Sequence, residues 1–124
     1  MVSFHDLQLH KKQSVYLQIV NHVKRQIVAN KVVHYEEMPS RRELAVLLTI
    51  NPNTVQKAYK IMEEEGIITT ISNVKSVVLV NEEIQMRIQE EFAKETVSLF
   101  VKDCRESGLS FQKTIALLTK YWDQ

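Results

Sequence analysis

The feature that most constrains this 124-residue chain is a pair of closely spaced helix signals between residues 40 and 66. The segment SRRE at 40–43 has the Ser-x-x-Glu spacing of a capping box, so a helix is predicted to begin at Ser40. A second helix is predicted to begin at Asn51, an N-cap, with Pro52 at its first position and Gly66 as its left-handed stop. Because only the turn 48–51 separates the two, the sequence predicts a helix-turn-helix.

Hydrophobic periodicity extends this prediction in both directions along the chain. Residues 14–29 predict a helix, with Gln18 and Lys24 on its polar faces, and the β-branched runs 67–71 and 76–80 predict a hairpin. Helical spacing resumes at Asn81, stops at Gly108 and restarts at Ser110. We therefore expect a mostly α chain with a small β-hairpin. Residues 1–80 would form a winged helix-turn-helix domain, and residues 81–124 a two-helix dimerisation region.

The same periodicity predicts which side chains of the two central helices face the core. These apolar residues are Leu44, Ala45, Leu47 and Leu48 in the first helix of the pair, and Val55, Ala58, Tyr59 and Met62 in the second.

Composition excludes several classes of protein. Gly and Pro occur only twice each, which argues against glycine-rich phosphate loops and turn-rich all-β folds. The chain lacks a signal-peptide pattern and a membrane-length apolar run, and Cys104 is its single cysteine, so we expect a cytoplasmic protein. No nucleophile–base pair, carboxylate pair or metal-ligand spacing is present. We therefore expect no catalytic activity, no metal site and no cofactor.

The polar face of the second central helix carries side chains suited to DNA. Asn and Gln bond bidentately to adenine edges, Lys bonds guanine or phosphate, and Thr contacts thymine. Residues 1–80 carry ten Lys/Arg against seven Asp/Glu, whereas residues 81–124 carry six against eight. Candidate phosphate-binding residues at the preceding helix N-terminus are Ser40, Arg41 and Arg42. The candidate base-reading residues are Asn53, Thr54, Gln56, Lys57 and Lys60.

Three segments of this region resemble the GntR family of bacterial transcription regulators. MPSRRELA at 38–45 is similar to the family's LPS-x-REL-A signature, and NPNTVQKAY at 51–59 with MEEEGII at 62–68 resembles its recognition helix. VYLQI at 15–19 resembles its opening segment, so the likeness covers about residues 14–80. The short C-terminal region resembles the YtrA-like branch, in which two helices mainly form a homodimer. The family pattern implies DNA contacts by Arg42, Asn51, Asn53, Thr54, Gln56 and Lys57.

The loops depart from the family pattern, which usually has glycine near Asn30, near Tyr35 and at two positions of the wing tip. Val74 stands where the family has a basic residue that reaches into the minor groove. Lys75 is the candidate substitute cation. We therefore expect weak minor-groove readout by this wing.

The apolar stripes of residues 81–124 admit three interpretations: a core shared with the preceding domain, a membrane-surface helix, or a dimer interface. Acidic residues on the polar face, among them Glu90 and Glu91, would be repelled by anionic lipid. Two helices beside a small domain cannot bury both stripes, so with the resemblance included we expect a homodimer and no membrane partner. The expected interface residues are Ile84, Ile88, Phe92, Leu99, Phe100, Phe111, Ile115, Leu118 and Trp122.

Together these observations predict a homodimeric transcription repressor. Its partner would be a double-stranded DNA operator of two-fold symmetry, with half-sites about one helical turn apart. The departures in the wing leave one alternative, an adaptor that has lost DNA binding and acts through protein–protein contacts. The sequence identifies neither the operator nor a small-molecule effector.

Overall fold

The computed structural model describes residues 1–73 and 75–124, which form five helices and one hairpin. In chain order these are α1 (Val15–Val28), α2 (Arg41–Leu48), α3 (Pro52–Glu64), β1 (Ile68–Ser72), β2 (Lys75–Val78), α4 (Glu82–Glu106) and α5 (Phe111–Tyr121). The predicted fold class and element order are confirmed. The chain divides into two compact units, the head unit (residues 1–88) and the tail unit (residues 89–124). The predicted functional division after residue 80 stays a prediction.

The helix-turn-helix, α2 and α3, begins and ends where side chains satisfy free backbone groups. The Ser40 Oγ accepts a hydrogen bond from the Glu43 amide (3.0 Å), and a Glu43 carboxylate oxygen accepts one from the Ser40 amide (3.1 Å). The Asn51 Oδ1 accepts from the Asn53 amide at 2.8 Å. Gly66 follows α3 with φ +73°, a conformation that costs glycine no Cβ clash. The predicted capping box, cap and stop are confirmed.

The core of the head unit lies between α1, α2, α3 and the hairpin. The predicted buried stripe of α3 is confirmed, because all four of its residues are fully buried. The buried residues of the three helices are Gln18, Ile19, Val20, His22, Val23, Lys24, Ile27, Leu44, Ala45, Val55, Ala58, Tyr59 and Met62.

The prediction that Leu47 faces the core is wrong, since this side chain is 54% exposed. At 3.6 residues per turn, Leu47 lies about 100° around α2 from the centre of the stripe formed by Leu44, Ala45 and Leu48. A helix of eight residues packs one narrow face, and Leu47 falls outside it.

The prediction that Gln18 and Lys24 lie on polar faces of α1 is also wrong, because both are buried. The Gln18 amide nitrogen donates to the carbonyls of His10 and Gln13, both at 2.8 Å, and its oxygen accepts from the His10 amide at 3.0 Å. The Lys24 ammonium lies 2.8 Å from a carboxylate oxygen of Glu65. These partners lie outside α1, so the hydrophobic period of that helix carries no signal of them.

The loop that precedes α2 pairs briefly with the free edge of the hairpin. Strands β1 and β2 are antiparallel, with Ile68 opposite Val78. Along the other edge of β2, Glu37 forms a bridge with Val77, and the Met38 amide donates to the Ser76 carbonyl at 2.9 Å. This pairing places the start of α2 beside the wing. The prediction for Val74 concerns a residue outside the described ones.

Among the described residues of the head unit, three other than glycine take left-handed backbone conformations: Asn30 (φ 57°), Thr49 (φ 56°) and Tyr35 (φ 68°). The resemblance placed glycine near Asn30 and near Tyr35. The loop therefore keeps the conformation that glycine favours, with residues for which it is more costly. Tyr35 holds this conformation with an amide hydrogen bond to the Val78 carbonyl (2.8 Å) and a ring stacked on His34, 4.0 Å between centroids.

The tail unit contains the end of α4 and all of α5. Gly108 follows α4 with φ +76°, and the Ser110 Oγ caps α5 by accepting from the Lys113 amide at 3.1 Å, as predicted. Within this fully described helix, α5, no residue is buried: its first residue, Phe111, is 75% exposed, and Trp122, which follows it, is 79% exposed. Across the described residues, none of the helices is long and apolar enough to cross a membrane.

Candidate nucleic-acid interface

The outer face of α3 presents a row of polar side chains at helical spacing. Asn53, Gln56, Lys57 and Lys60 are exposed, and Thr54 is half-buried. Their spacing of i, i+3, i+4 and i+7 places the four exposed residues on one face, opposite the buried stripe. The structure thus brings together the base-reading candidates on a helix that is held firmly from behind.

Lys57 has an aromatic neighbour that the sequence did not indicate. Its ammonium lies 4.0 Å from the centroid of the Tyr16 ring, at the start of α1. A cation over a ring face is attracted by the ring's negative face, so Tyr16 restricts the positions of the Lys57 charge. In the sequence, Tyr16 lies within VYLQI at 15–19, and no local signal there indicates a contact with Lys57.

Arg42 lies at the edge of a groove between the start of α2 and the wing tip. The groove, of about 390 Å³, is lined by Ser40, Arg41, Arg42 and Asn73. Arg42 is exposed and makes no ion pair within the described part of the chain. The Ser40 hydroxyl accepts from Glu43 and keeps its own proton to donate. Arg42 and Ser40 can therefore both donate hydrogen bonds to an anion in the groove.

Arg41, in contrast, is already engaged by the protein. Its Nη2 donates to a Glu63 carboxylate oxygen at 2.9 Å, and its guanidinium lies 4.8 Å from the centroid of the Tyr59 ring. Its Nε is buried without an acceptor among the described residues. The same Glu63 oxygen accepts from the Thr70 hydroxyl at 2.7 Å. Arg41 and Glu63 thus join α2, α3 and β1, and they orient the start of α2 relative to α3.

Tyr59 also helps to position the start of α2 on α3. Its hydroxyl donates to the Pro39 carbonyl at 2.5 Å, immediately before α2 begins. Burial raises the pKa of Tyr59, so its hydroxyl stays protonated and keeps donating. Sequence reasoning placed Tyr59 in the core correctly, but it assigned no role to Glu63, which lies in a run of three glutamates.

Lys75, the candidate cation of the wing, is paired as well. Its ammonium lies 2.6 Å from a carboxylate oxygen of Glu37. The hydrogen bond and the positive charge of Lys75 lower the pKa of Glu37, which therefore stays ionised. Sequence reasoning missed Glu37, because the pairing of the loop with β2 brings together residues 38 positions apart.

The predicted interface residues of the C-terminal region differ in burial. Ile84 and Ile88 are buried within the head unit, at 8% and 1% exposure. Phe92 is half-buried, and the others are exposed: Leu99, Phe100, Phe111, Ile115, Leu118 and Trp122. A shallow groove of about 420 Å³ in the tail unit is lined largely by such apolar side chains. The exposed group is the surface available to a partner.

Comparison with known proteins decides the family. Residues 15–78 match the model of the bacterial regulatory proteins of the gntR family. The chain belongs to the GntR family. It is 29% identical over 110 residues to the uncharacterized HTH-type transcriptional regulator YhcF of Bacillus subtilis, covering 89% of this chain and 91% of YhcF. It is 44% identical over 57 residues to the B. subtilis HTH-type transcriptional repressor YtrA, covering 46% of this chain and 44% of YtrA.

A solved structure gives the same answer for the fold. A GntR family transcriptional regulator from Listeria monocytogenes is similar with a TM-score of 0.78 and 28% identity, covering 90% of this chain and 98% of that one. This GntR-family chain is therefore a DNA-binding transcription regulator with a winged helix-turn-helix, and the resemblance drawn from its motifs, YtrA included, is confirmed. Its relatives are regulators and not enzymes, in agreement with the sequence. Membership favours DNA binding over the adaptor alternative.

Proposed function

We propose that this GntR-family regulator is a cytoplasmic repressor that binds a two-fold symmetric operator as a homodimer. The observation that carries the proposal is the exposed polar row on α3, which comprises Asn53, Gln56, Lys57 and Lys60. Each α3 would enter a major groove with the first turns of the helix closest to the bases. Repression is supported by the likeness to YtrA, which is named a repressor.

The side chains of the row and of the α2 N-terminus divide into two proposed roles. Asn53 and Gln56 read base edges, for which their amides offer paired donors and acceptors. Arg42 and Ser40 bind backbone phosphate and fix the register of α3 in the groove. Lys57 binds guanine or phosphate, with Tyr16 limiting its positions. Asn51, Thr54 and Lys60 complete the proposed DNA surface and contact bases or phosphates.

The proposed dimer follows from the tail unit. One recognition helix makes few base contacts, so a single head unit binds an operator weakly. Joining two head units makes the second docking step intramolecular, which raises avidity about a hundredfold or more without any new DNA contact. The exposed apolar side chains of α4 and α5 provide the surface for that joining.

The test of DNA reading begins with DNA from upstream of the regulator's own gene and with fragments selected from a random pool. Arg42→Ala and Lys57→Ala are titrated at two salt concentrations, with Lys102→Ala, an exposed tail lysine, as the matched control. A base contact costs about 1–3 kcal/mol and its loss relaxes sequence preference. Loss of a phosphate contact weakens all sequences alike and reduces the salt slope by about one unit. Unchanged affinity of both variants contradicts the proposed DNA surface.

The test of assembly is sedimentation of the full chain at micromolar concentration. We expect a dimer, and we expect operator affinity to depend on the spacing between half-sites, since spacing is a property of the dimer. A chain that sediments as a monomer, or that binds single half-sites as tightly as full operators, contradicts the proposed assembly.

A further inference from the structure

Lys75 is the cation that the wing would offer to DNA, and in this structure it forms an ion pair with Glu37. The two charged atoms are 2.6 Å apart, and the side chains are 52% and 42% exposed. Because both remain in contact with solvent, a phosphate can approach Lys75 without any rearrangement of the core. The pair is therefore an accessible one, open to competition from a second anion.

The backbone holds the Glu37 carboxylate at this place. Glu37 forms a bridge with Val77, two residues beyond Lys75 on β2. The hydrogen bonds on either side run from the Val78 amide to the Glu36 carbonyl and from the Met38 amide to the Ser76 carbonyl, both 2.9 Å. Glu37 is thus fixed to the edge of the wing sheet. Its position is set by strand pairing and does not depend on the exposed ion pair.

We propose that Glu37 limits the contribution of the wing to DNA binding by competing with backbone phosphate for Lys75. The proposal rests on the proposed function, and it adds that the wing lies close to the DNA backbone when α3 occupies a major groove. It assigns Glu37 a role in setting affinity, separate from the residues of α3 that read bases.

The expected size of the effect follows from the exposure of the pair. Exposed ion pairs are weak, so removing the competitor raises affinity by only about two- to fivefold. If Lys75 then contacts a phosphate, one more counterion is released on binding, and the salt dependence of log K steepens by about 0.9. Since phosphate carries no sequence information, specific and non-specific DNA gain by the same factor.

The experiment measures binding of the full-length chain to its selected operator and to a scrambled duplex at several salt concentrations. The variants are Glu37→Gln, Lys75→Ala and the double variant. Glu64→Gln serves as the control, because Glu64 is exposed and forms no ion pair within the described residues. We expect Glu37→Gln to bind both duplexes two- to fivefold more tightly than Glu64→Gln does, with the steeper salt slope. We expect the double variant to lose that gain.

The contrary results are distinct. A gain in Glu37→Gln no larger than in Glu64→Gln overturns the competition, and so does a gain that persists in the double variant. A gain confined to operator DNA overturns the phosphate assignment and shows base contact by Lys75. Failure of the proposed function itself has a different signature: the wild-type chain then prefers no sequence, and Lys57→Ala binds as the wild type does. Thermal unfolding of each variant confirms that the compared chains are folded.

Discussion

The head unit and the tail unit place their large apolar side chains in opposite environments. In the head unit, Tyr59, Met62 and Ile27 are fully buried. In the tail unit, Leu99, Phe111 and Trp122 are each more than half exposed. Burial of apolar surface is the dominant stabilising term in folding, so the buried core of the head unit stabilises its fold. The apolar surface of the tail unit is available for association instead.

The difference supports the proposed separation of two tasks in this regulator, DNA reading by the head unit and dimerisation by the tail unit. The head unit holds α3 rigidly from behind, which a helix needs if its outer side chains are to meet base edges at fixed positions. The tail unit leaves its stripe open, which a region needs if it is to bind a second copy. Mutations in the two units should therefore have separable effects, on folding in one and on assembly in the other.

The largest expected effect comes from where the head unit is cut. Ile84 and Ile88 are buried in it, and the Arg87 guanidinium donates to the Glu65 carbonyl at the end of α3 (2.6 Å). A chain ending at Val80 lacks these contacts. We expect its free energy of unfolding to fall by about 4 kcal/mol or more relative to a chain ending at Ile88, since each buried isoleucine contributes about 2–5 kcal/mol. Urea denaturation of both chains measures the difference. Equal stability would place the boundary of the folded head at residue 80.

The next effect concerns assembly alone. Ile115→Asp places a charge in the exposed stripe of α5, whereas Ala116→Asp places it on the neighbouring face. If the stripe is the dimer interface, the first variant buries an unpaired carboxylate and weakens the dimer about a hundredfold or more. We expect thermal unfolding of the head unit to be the same in both variants. Analytical ultracentrifugation gives the dissociation constants of the two dimers. Equal values in the two variants would contradict the assignment of the α5 stripe to the dimer interface.

Much of this architecture was predictable because its signals are local. The capping box at Ser40, the cap at Asn51 and the stop at Gly66 each depend on residues within one turn of helix, and all three were predicted. The ion pairs could not be predicted in the same way. Glu37 meets Lys75 only after the loop pairs with β2, and Glu63 meets Arg41 only after α2 packs on α3.

Burial predictions failed for a related reason. Periodicity identifies the apolar face of a helix but not how much of that face other elements cover. Leu47 was therefore assigned to the core, although more than half of its side chain is exposed. The same reasoning left Lys24 on a solvated face, although the end of α3 supplies Glu65 to pair with it. For the DNA surface, the sequence predicted which residues share the outer face of α3. It did not indicate that Arg41 and Lys75 are held by carboxylates of the same chain.

A smaller expected effect concerns the stability of the head unit alone. Thr49 and Tyr35 hold left-handed conformations that cost a residue with a Cβ about 1–2 kcal/mol. Glycine at either position relieves this cost but adds entropy to the unfolded chain, and at Tyr35 it also removes the ring stack on His34. We therefore expect a net gain of about 0.5–1 kcal/mol relative to alanine at the same position. Differential scanning calorimetry of Thr49→Gly and Tyr35→Gly measures the gain. Alanine at the same positions keeps the clash and should give none, and the dimer dissociation constant should not change.

The smallest effect is a pH dependence confined to the wing. The folded-state pKa of Glu37 lies below its ordinary value. Pairing of Glu37 with Lys75 therefore stabilises the head unit fully at pH values above that ordinary pKa. The stabilisation is lost as the pH falls through the lowered pKa. We expect Lys75→Ala to return the pKa of Glu37 towards its ordinary value, as measured by NMR titration of the carboxyl carbon. An unchanged pKa in the variant would show that Lys75 does not hold this carboxylate in solution.

The position of Trp122 makes the tail unit observable on its own. It is the single tryptophan of the chain and is 79% exposed at the end of α5. Its fluorescence therefore reports on the tail unit, while the tyrosines of the head unit contribute little at excitation wavelengths above their absorption. Covering of the indole by a second copy would shift the emission to shorter wavelength and protect it from a soluble quencher. Dilution followed by fluorescence would then give the assembly equilibrium without any label.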